Sequence, residues 1–281
     1  MNPLRAVGCA VAWLALAPLS ALAATVPYFE SFEGYPEGDT AVANFTEVST
    51  GRWVLAPSYS GQAYENAASV TSAGVGFSVT TNSSAGIEFP ALASSSFSMS
   101  TTFRIDSLTL SGADPNNTAT IGLFARSATV NPAATGSDRY QVSYFLDEDG
   151  LGHPVGRLWL REINLFFSDS LNELSSASLP VTLGDVYKLT FSGVDSGSSV
   201  ALAATLTNLT TMSSISVSDV DGANVLSHGF FGYQNHVHVE DGGTVAMNAD
   251  FDDFTMVIPE PGAAWFGLVG MAVCLRLGRR R

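Results

Sequence analysis

The sequence predicts an all-β protein, a two-sheet antiparallel β-sandwich, and three observations carry that prediction. Apolar and polar residues alternate with period two along many short runs. No run in the body shows an apolar stripe of helical period. Clusters of Asp, Asn, Gly and Pro separate the runs at the spacing of turns. Ten or more short strands punctuated in this way pack as two sheets around one core.

In chain order, the first strand candidate is 76–80. The clearest is 97–105, where Phe97, Met99, Thr101, Phe103 and Ile105 alternate with polar neighbours, so one side of the strand meets a core and the other meets water. Residues 120–125, 140–146, 157–161 and 186–192 follow. Val200, Leu202, Ala204 and Leu206 repeat the alternation with smaller side chains, and 215–220, 229–233, 237–240 and 250–257 complete the set. Turn chemistry falls between them at Asp114-Pro115-Asn116-Asn117, Asp149-Gly150, Asp195-Ser196-Gly197, Asp221-Gly222 and Asp241-Gly242-Gly243. The stretch 168–175 reads as one short helical turn. No internal repeat is evident.

The two ends follow different rules. Arg5, an apolar run over 7–19 and the small-residue site Ala21-Leu22-Ala23 describe a secretory signal peptide over 1–23, an apolar helix handed to the secretion translocon and cut by signal peptidase. At the other end, Pro259-Glu260-Pro261 precede an apolar run over 262–275, then Arg276, Arg279, Arg280 and Arg281. As a transmembrane helix rising 1.5 Å per residue, that run spans roughly 20 Å, short of the roughly 30 Å hydrocarbon core, which suits transient residence; the alternative is an ordinary single-span tail anchor. The arginines hold the C-terminus in the cytoplasm and set the preceding body across the membrane. The tail, 258–281, resembles the PEP-CTERM sorting signal of Gram-negative bacteria that make exopolysaccharide. The resemblance implies that an exosortase-type membrane protease recognises Pro259, Glu260 and Pro261 with Arg279, Arg280 and Arg281. Removal of the tail would then leave the protein at the cell surface or outside the cell.

Between these ends, 25–257 reads as one sandwich domain. Five of the chain's 12 lysines and arginines lie in the ends, leaving seven cations in the body, against 25 of the 26 acidic residues, a net charge near −18. Such a body repels nucleic acid and anionic membranes. It is suited to attracting divalent cations, or simply to staying soluble in a crowded matrix. Both cysteines, Cys9 and Cys274, sit in the ends, so the body has neither a disulfide framework nor a thiol nucleophile.

The opening Phe29-Glu30-Ser31-Phe32-Glu33-Gly34-Tyr35 with Trp53, and the close Gly229-Phe230-Phe231-Gly232-Tyr233 with Asp250-Phe251-Asp252-Asp253-Phe254, resemble the concanavalin A-like lectin/glucanase sandwich. Jelly-roll carbohydrate-binding modules are the competing architecture. The resemblance implies that the first and last strands are neighbours. It also implies a structural calcium near Glu30, the carbonyl of Gly34, Asp252 and Asp253, since calcium favours several carboxylate and carbonyl oxygens; the alternative is solvated acids at strand ends. No cofactor beyond such an ion is required.

Other acidic and histidine patterns bear on metal binding. Asp147-Glu148-Asp149-Gly150 and Asp219-Val220-Asp221-Gly222 begin like calcium loops, but the twelfth positions hold Leu158 and Phe230 in place of glutamate, so hairpin turns are expected instead. His236, His238 and Glu240 fall on one side of a strand and are zinc-type ligands, though no further matched histidine motif follows. They make either a metal site with a distant fourth ligand or a polar strand face.

For catalysis the chain offers no Glu-x-Asp-x-Glu strand of the glucanase kind, no Gly-x-Ser-x-Gly and no His-Glu-x-x-His. A non-catalytic protein is therefore expected. In Arg157-Leu158-Trp159-Leu160-Arg161 alternation puts Trp159 between Arg157 and Arg161 on one side. That is either a glycan-stacking surface or an inward tryptophan with its arginines at the strand ends. The expected function is an exported surface or matrix protein that binds extracellular polysaccharide or builds the exopolysaccharide layer of a biofilm. The competing class is a carbohydrate-active enzyme, hydrolase or lyase, with a non-standard site.

Overall fold

The computed structural model describes residues 24–38, 53–111, 117–131, 138–148, 154–163, 171–222 and 225–259. Within them the chain forms two antiparallel sheets of eight strands each. The first sheet runs β14 (Ser214–Asp221), β13 (Val200–Asn208), β12 (Val186–Asp195), β6 (Phe97–Ser111), β16 (Thr244–Val257), β4 (Ala67–Val75) and β3 (Gly61–Tyr64), with β1 (Tyr28–Glu30) also on β16. The second runs β10 (Asn172–Leu174), β9 (Pro154–Ile163), β8 (Arg139–Glu148), β7 (Thr118–Ser127), β15 (Phe230–Val239), β5 (Val79–Glu88) and β2 (Val54–Leu55), with β11 (Leu179–Pro180) on β9. Tyr28 lies opposite Met256 and Glu30 opposite Phe254, so the first and last strands are neighbours.

Alternation fills the space between the sheets. From the first come Phe97, Met99, Phe103, Tyr187, Leu189, Phe191, Leu202 and Leu206; from the second Ile121, Leu123, Val142, Tyr144, Leu158, Leu160, Phe231 and Tyr233, all buried. Aromatic rings clasp the layers together: Tyr233 stacks on Phe251 at 4.4 Å between centroids, and Phe97 meets Phe231 edge-on at 5.3 Å. The register of β16 against β6 shifts between Asp252 and Thr255, where Asp253 takes φ of +50°. This β-bulge resets the phase of the strand. Phe251 and Phe254, three apart, both point inward, while Asp253 is exposed.

Outside, the first sheet carries hydroxyls in register across five strands: Thr255, Ser100, Thr190, Thr205 and Ser216. Ser100 and Thr255 are 2.8 Å apart, Thr205 and Ser216 2.9 Å. Such cross-strand hydroxyl pairs stabilise a wetted sheet without charge.

Several expectations are corrected. Residues 76–80 are mainly a turn, with the strand starting at Val79; the real strands beside it, β3, β4 and the body of β5, are so rich in Ala, Ser, Thr and Gly that alternation is faint. The candidates 229–233 and 237–240 are one strand, β15. The described part of 168–175 is extended, as β10, because Asn172 and Leu174 pair with Arg161 and Trp159. Asp221-Gly222 is no hairpin turn: β14 is an edge strand of the first sheet and β15 lies within the second, so the chain crosses between sheets there. Asp241-Gly242-Gly243 also turns a corner between sheets, beside the β4–β5 corner, to which it is tied by Gly242 N–H donating to Gly76 O at 2.7 Å. Both glycines have positive φ, +85° and +122°. The signal helix over 1–23 and the transmembrane helix of the tail lie outside the described residues. Among the described residues no helix is long and apolar enough to cross a membrane.

Candidate functional site

At its centre the second sheet is buried on both sides, and β7 is buried at every one of its ten positions. Its outer surface is therefore a recess. In β8 the alternation Arg139-Tyr140-Gln141-Val142-Ser143 sends Tyr140 and Val142 into the core and Arg139, Gln141 and Ser143 outward. In β15 Tyr233 and Val237 are inward, with Gln234 and His236 outward. Register then aligns the rows. Gln234 lies opposite Gly122 and Gly122 opposite Ser143; His236 lies between Thr120 and Asn82; Gln141 lies beside Arg161.

Gly122 makes one of these meetings possible. With no side chain between them, Gln234 Nε2 reaches Ser143 Oγ at 3.5 Å, and Gln141 Nε2 donates to the same oxygen at 2.7 Å. A Cβ on Gly122 would stand 2.1 Å from the carbonyl oxygen of Val142. The amide oxygens of Gln141, Gln234 and Asn82 are left buried without a hydrogen-bond partner among the described residues.

Over this floor opens a depression of about 420 Å³, lined by Asn82, Arg139, Gln141, Arg161, Gln234 and His236, with Ser58, Thr80, Thr81, Asn131 and Ile163 around them. Arg139 is 2% exposed and lies 5.4 Å above the Phe124 ring. Burial, together with the charge of Arg161, lowers its pKa to about 9. Burial and the same two arginines depress His236 to about 3, so its imidazole is neutral at any ordinary pH. Its Nδ1 is 3.3 Å from Thr120 Oγ1.

The site residues read from the sequence are distributed as follows. Trp159 is half-buried on the outer side of β9, with Leu158 and Leu160 in the core. Arg161 covers its ring at 4.3 Å, Phe145 meets it edge-on at 5.3 Å, and Asn172 Oδ1 accepts from its Nε1 at 2.5 Å. Arg161 thus joins Trp159 to the depression, whereas Arg157 is exposed and does not line it. His238 is engaged at both ring nitrogens, Nδ1 with Thr80 Oγ1 at 2.9 Å and Nε2 with Glu240 Oε2 at 3.0 Å. The burial that keeps His236 uncharged, and the charges of Arg161 and Arg139 beside it, would oppose a metal cation there. Among the described residues no three His, Cys, Asp or Glu side chains converge to hold a metal ion.

Glu30 is fully buried and accepts from Phe32 N–H at 3.0 Å and from the Tyr35 hydroxyl at 3.4 Å, holding the turn that contains Gly34. Asp252 is half-buried and Asp253 exposed. The four calcium positions therefore divide between the interior and the surface. Of the sorting motif only Pro259 is described; Glu260, Pro261, Arg279, Arg280 and Arg281 lie outside the described residues.

Sequence reasoning missed Arg139, Gln141 and Gln234. The signal was present in the polar half of each alternating strand, but β8 and β15 lie far apart in sequence, and only the β8-β7-β15 order joins them.

Comparison with protein-family models matches none, and comparison with curated proteins gives no match. Among solved structures the chain is similar to basic winged bean lectin with Tn-antigen, with 10% identity, TM-score 0.44, and 74% of this chain and 93% of that one covered. It is similar to the Lotus tetragonolobus seed lectin, with 10% identity, TM-score 0.44, and 84% and 100% covered. It is also similar to the CBM2 module of the Lactobacillus casei BL23 phage J-1 evolved Dit, with 10% identity, TM-score 0.44, and 83% and 96% covered. At this level the likeness concerns architecture and lends no argument about chemistry.

Proposed function

We propose that this protein is an exported, non-catalytic glycan-binding component of an extracellular polysaccharide layer, and that the recess on the outer side of the second sheet receives the glycan. One observation carries the reading. Amide, imidazole and guanidinium groups converge on a depression of about 420 Å³, and an aromatic ring stacked with Arg161 adjoins it. Sugars are recognised in this way, by several directed hydrogen bonds and an aromatic surface beside them.

The test is binding of the purified protein to a panel of bacterial and plant polysaccharides, with calcium and with chelator. Saturable binding is expected, weakened by Trp159→Ala at least about tenfold if the ring is a contact, the usual effect of losing one well-buried contact worth about 1.4 kcal/mol. Loss of binding in chelator would place a calcium requirement on the sandwich. Release of new chain ends in the same mixtures would favour the carbohydrate-active enzyme instead, and absence of binding under every condition would leave a structural matrix protein.

Export and sorting belong to the same proposal. Replacing Glu260 by Ala is expected to leave the protein unprocessed in the membrane fraction of a host that has the exosortase-type protease. Normal release of that variant would remove the sorting reading.

A further inference from the structure

Arg139 stands out among the cations of this acidic chain. Its side chain is 2% exposed, and among the described residues its Nε and Nη1 have no hydrogen-bond partner and no salt bridge reaches it. Arg126, equally buried, is by contrast paired with Asp195 at 2.5 Å and bonded to two carbonyl oxygens. A buried guanidinium without an anion is costly, because the charge has left water and gained only the face of Phe124 in return. Among the described residues the groups lining the depression offer no counter-charge. Gln141, Gln234 and His236 are neutral, and Arg161 has the same sign. Yet Arg139 lines the open depression together with Arg161, and guanidinium is the group whose planar fork matches an oxyanion.

We infer that the glycan bound in the recess is acidic, and that Arg139, with Arg161 beside it, receives its anionic group, a carboxylate or a sulfate. The inference rests on the glycan-binding reading for the word glycan, and on the buried unpartnered Arg139 for the word acidic. An anion there replaces the missing counter-charge, while the floor's amides and imidazole are left for the hydroxyls of the sugar. The body's net charge near −18, seven cations against 25 acidic residues, repels polyanions at long range, so the local cations must act at contact distance, where burial weakens screening by salt.

The experiment titrates the purified protein by calorimetry with a polyuronate, the same polymer after reduction of its carboxyls, a sulfated polysaccharide, a neutral glucan, and free glucuronate and inorganic sulfate. Binding of the polyuronate, weakened about ten- to a hundredfold by carboxyl reduction and by Arg139→Met, is expected for a lost charge-assisted hydrogen bond. Tighter binding of the sulfated polymer, equally sensitive to Arg139→Met, would make the anionic group a sulfate. Equal binding of neutral and acidic polymers would overturn the inference and keep the glycan reading. Binding of glucuronate or sulfate through Arg139, with no polymer bound, would keep the anion site and overturn the glycan reading. No binding of any probe would overturn both. Thermal unfolding of ligand-free Arg139→Met separates site from scaffold. The variant is expected to be at least as stable as the parent, because it removes an uncompensated buried charge; a strongly destabilised variant would mark Arg139 as structural and end the proposal.

Discussion

Asp195→Asn is expected to lower folding stability by about 3–5 kcal/mol, a large share of the roughly 5–15 kcal/mol that a domain commands. Arg126, on β7 of the second sheet, has φ of +49°, and its guanidinium reaches across to β12 of the first. There Nη2 meets Asp195 Oδ2 at 2.5 Å and Ser95 O at 3.0 Å, while Nη1 donates to Leu226 O at 3.0 Å. The arginine is completely buried. The asparagine variant keeps an oxygen for Gly197 N–H, which Asp195 Oδ1 now accepts at 2.6 Å, so the turn survives while the charge does not. A guanidinium then remains in the interior with no counter-charge. Urea unfolding measures the loss; a change under about 1 kcal/mol, the size of an exposed ion pair, would show that water reaches the pair.

The pair also sets a pH dependence. Burial by itself would raise the carboxyl of Asp195, but hydrogen bonds from Arg126 and Gly197 outweigh it and hold the group below its ordinary value of 3.8. A depressed folded-state value means that the unfolded chain binds protons more readily. This contribution is therefore complete above the unfolded value and is lost as pH falls through the folded one. Stability of the parent should decline on acidification below about pH 4, and that of Asp195→Asn should decline less. The double variant Arg126→Met/Asp195→Asn should recover part of the single variant's loss, because the stranded charge is gone, although the carbonyls of Ser95 and Leu226 lose their donor.

The strands that alternation made legible are those with large inward side chains. Over 97–105 each inward position is Phe, Met, Thr or Ile, and β6 lies at the centre of the first sheet. In β4 and β5 the inward and outward residues are alike, Ala against Ser and Thr, and period two carries little contrast. The bulge at Asp253 was legible only in retrospect. Phe251 and Phe254 are three apart, which no regular strand can bury together, and an αL residue between them is the remedy. Pairing of the first and last strands was implied only by the resemblance of the two end motifs to the concanavalin A-like sandwich; in the fold Tyr28 and Phe254 pack edge-on at 6.3 Å.

The recess was harder to see for a physical reason. A binding surface on a sheet is assembled across strands, so its members recur once per strand and never form a motif. His236 and Arg161 drew attention separately, one as a metal ligand and one as a partner of Trp159. Their meeting depends on four adjacent strands, and on Gly122 leaving space above β7.

Aromatic residues presented the opposite difficulty, because the type that binds sugars also builds cores, and Trp53 shows how the two roles are distinguished. It is 2% exposed, with its ring 5.0 Å from Phe254, 5.3 Å from Tyr233 and 6.0 Å from Phe32, and thus ties the N-terminal segment to both sheets. Trp53→Ala is expected to cost about 3–5 kcal/mol by opening a cavity among these rings. Trp53→Phe should cost much less. It keeps an aromatic ring in contact, and it removes an indole N–H that is buried without a partner among the described residues, a group whose burial costs about 1–3 kcal/mol. Chemical denaturation of both variants checks this, beside the glycan titration. Trp53 substitutions should change stability and leave the affinity of the folded fraction intact, while Trp159→Ala should weaken binding with little loss of stability. Equal losses in Trp53→Ala and Trp53→Phe would mean that the indole N–H has a partner and that ring packing is the lesser part of its role.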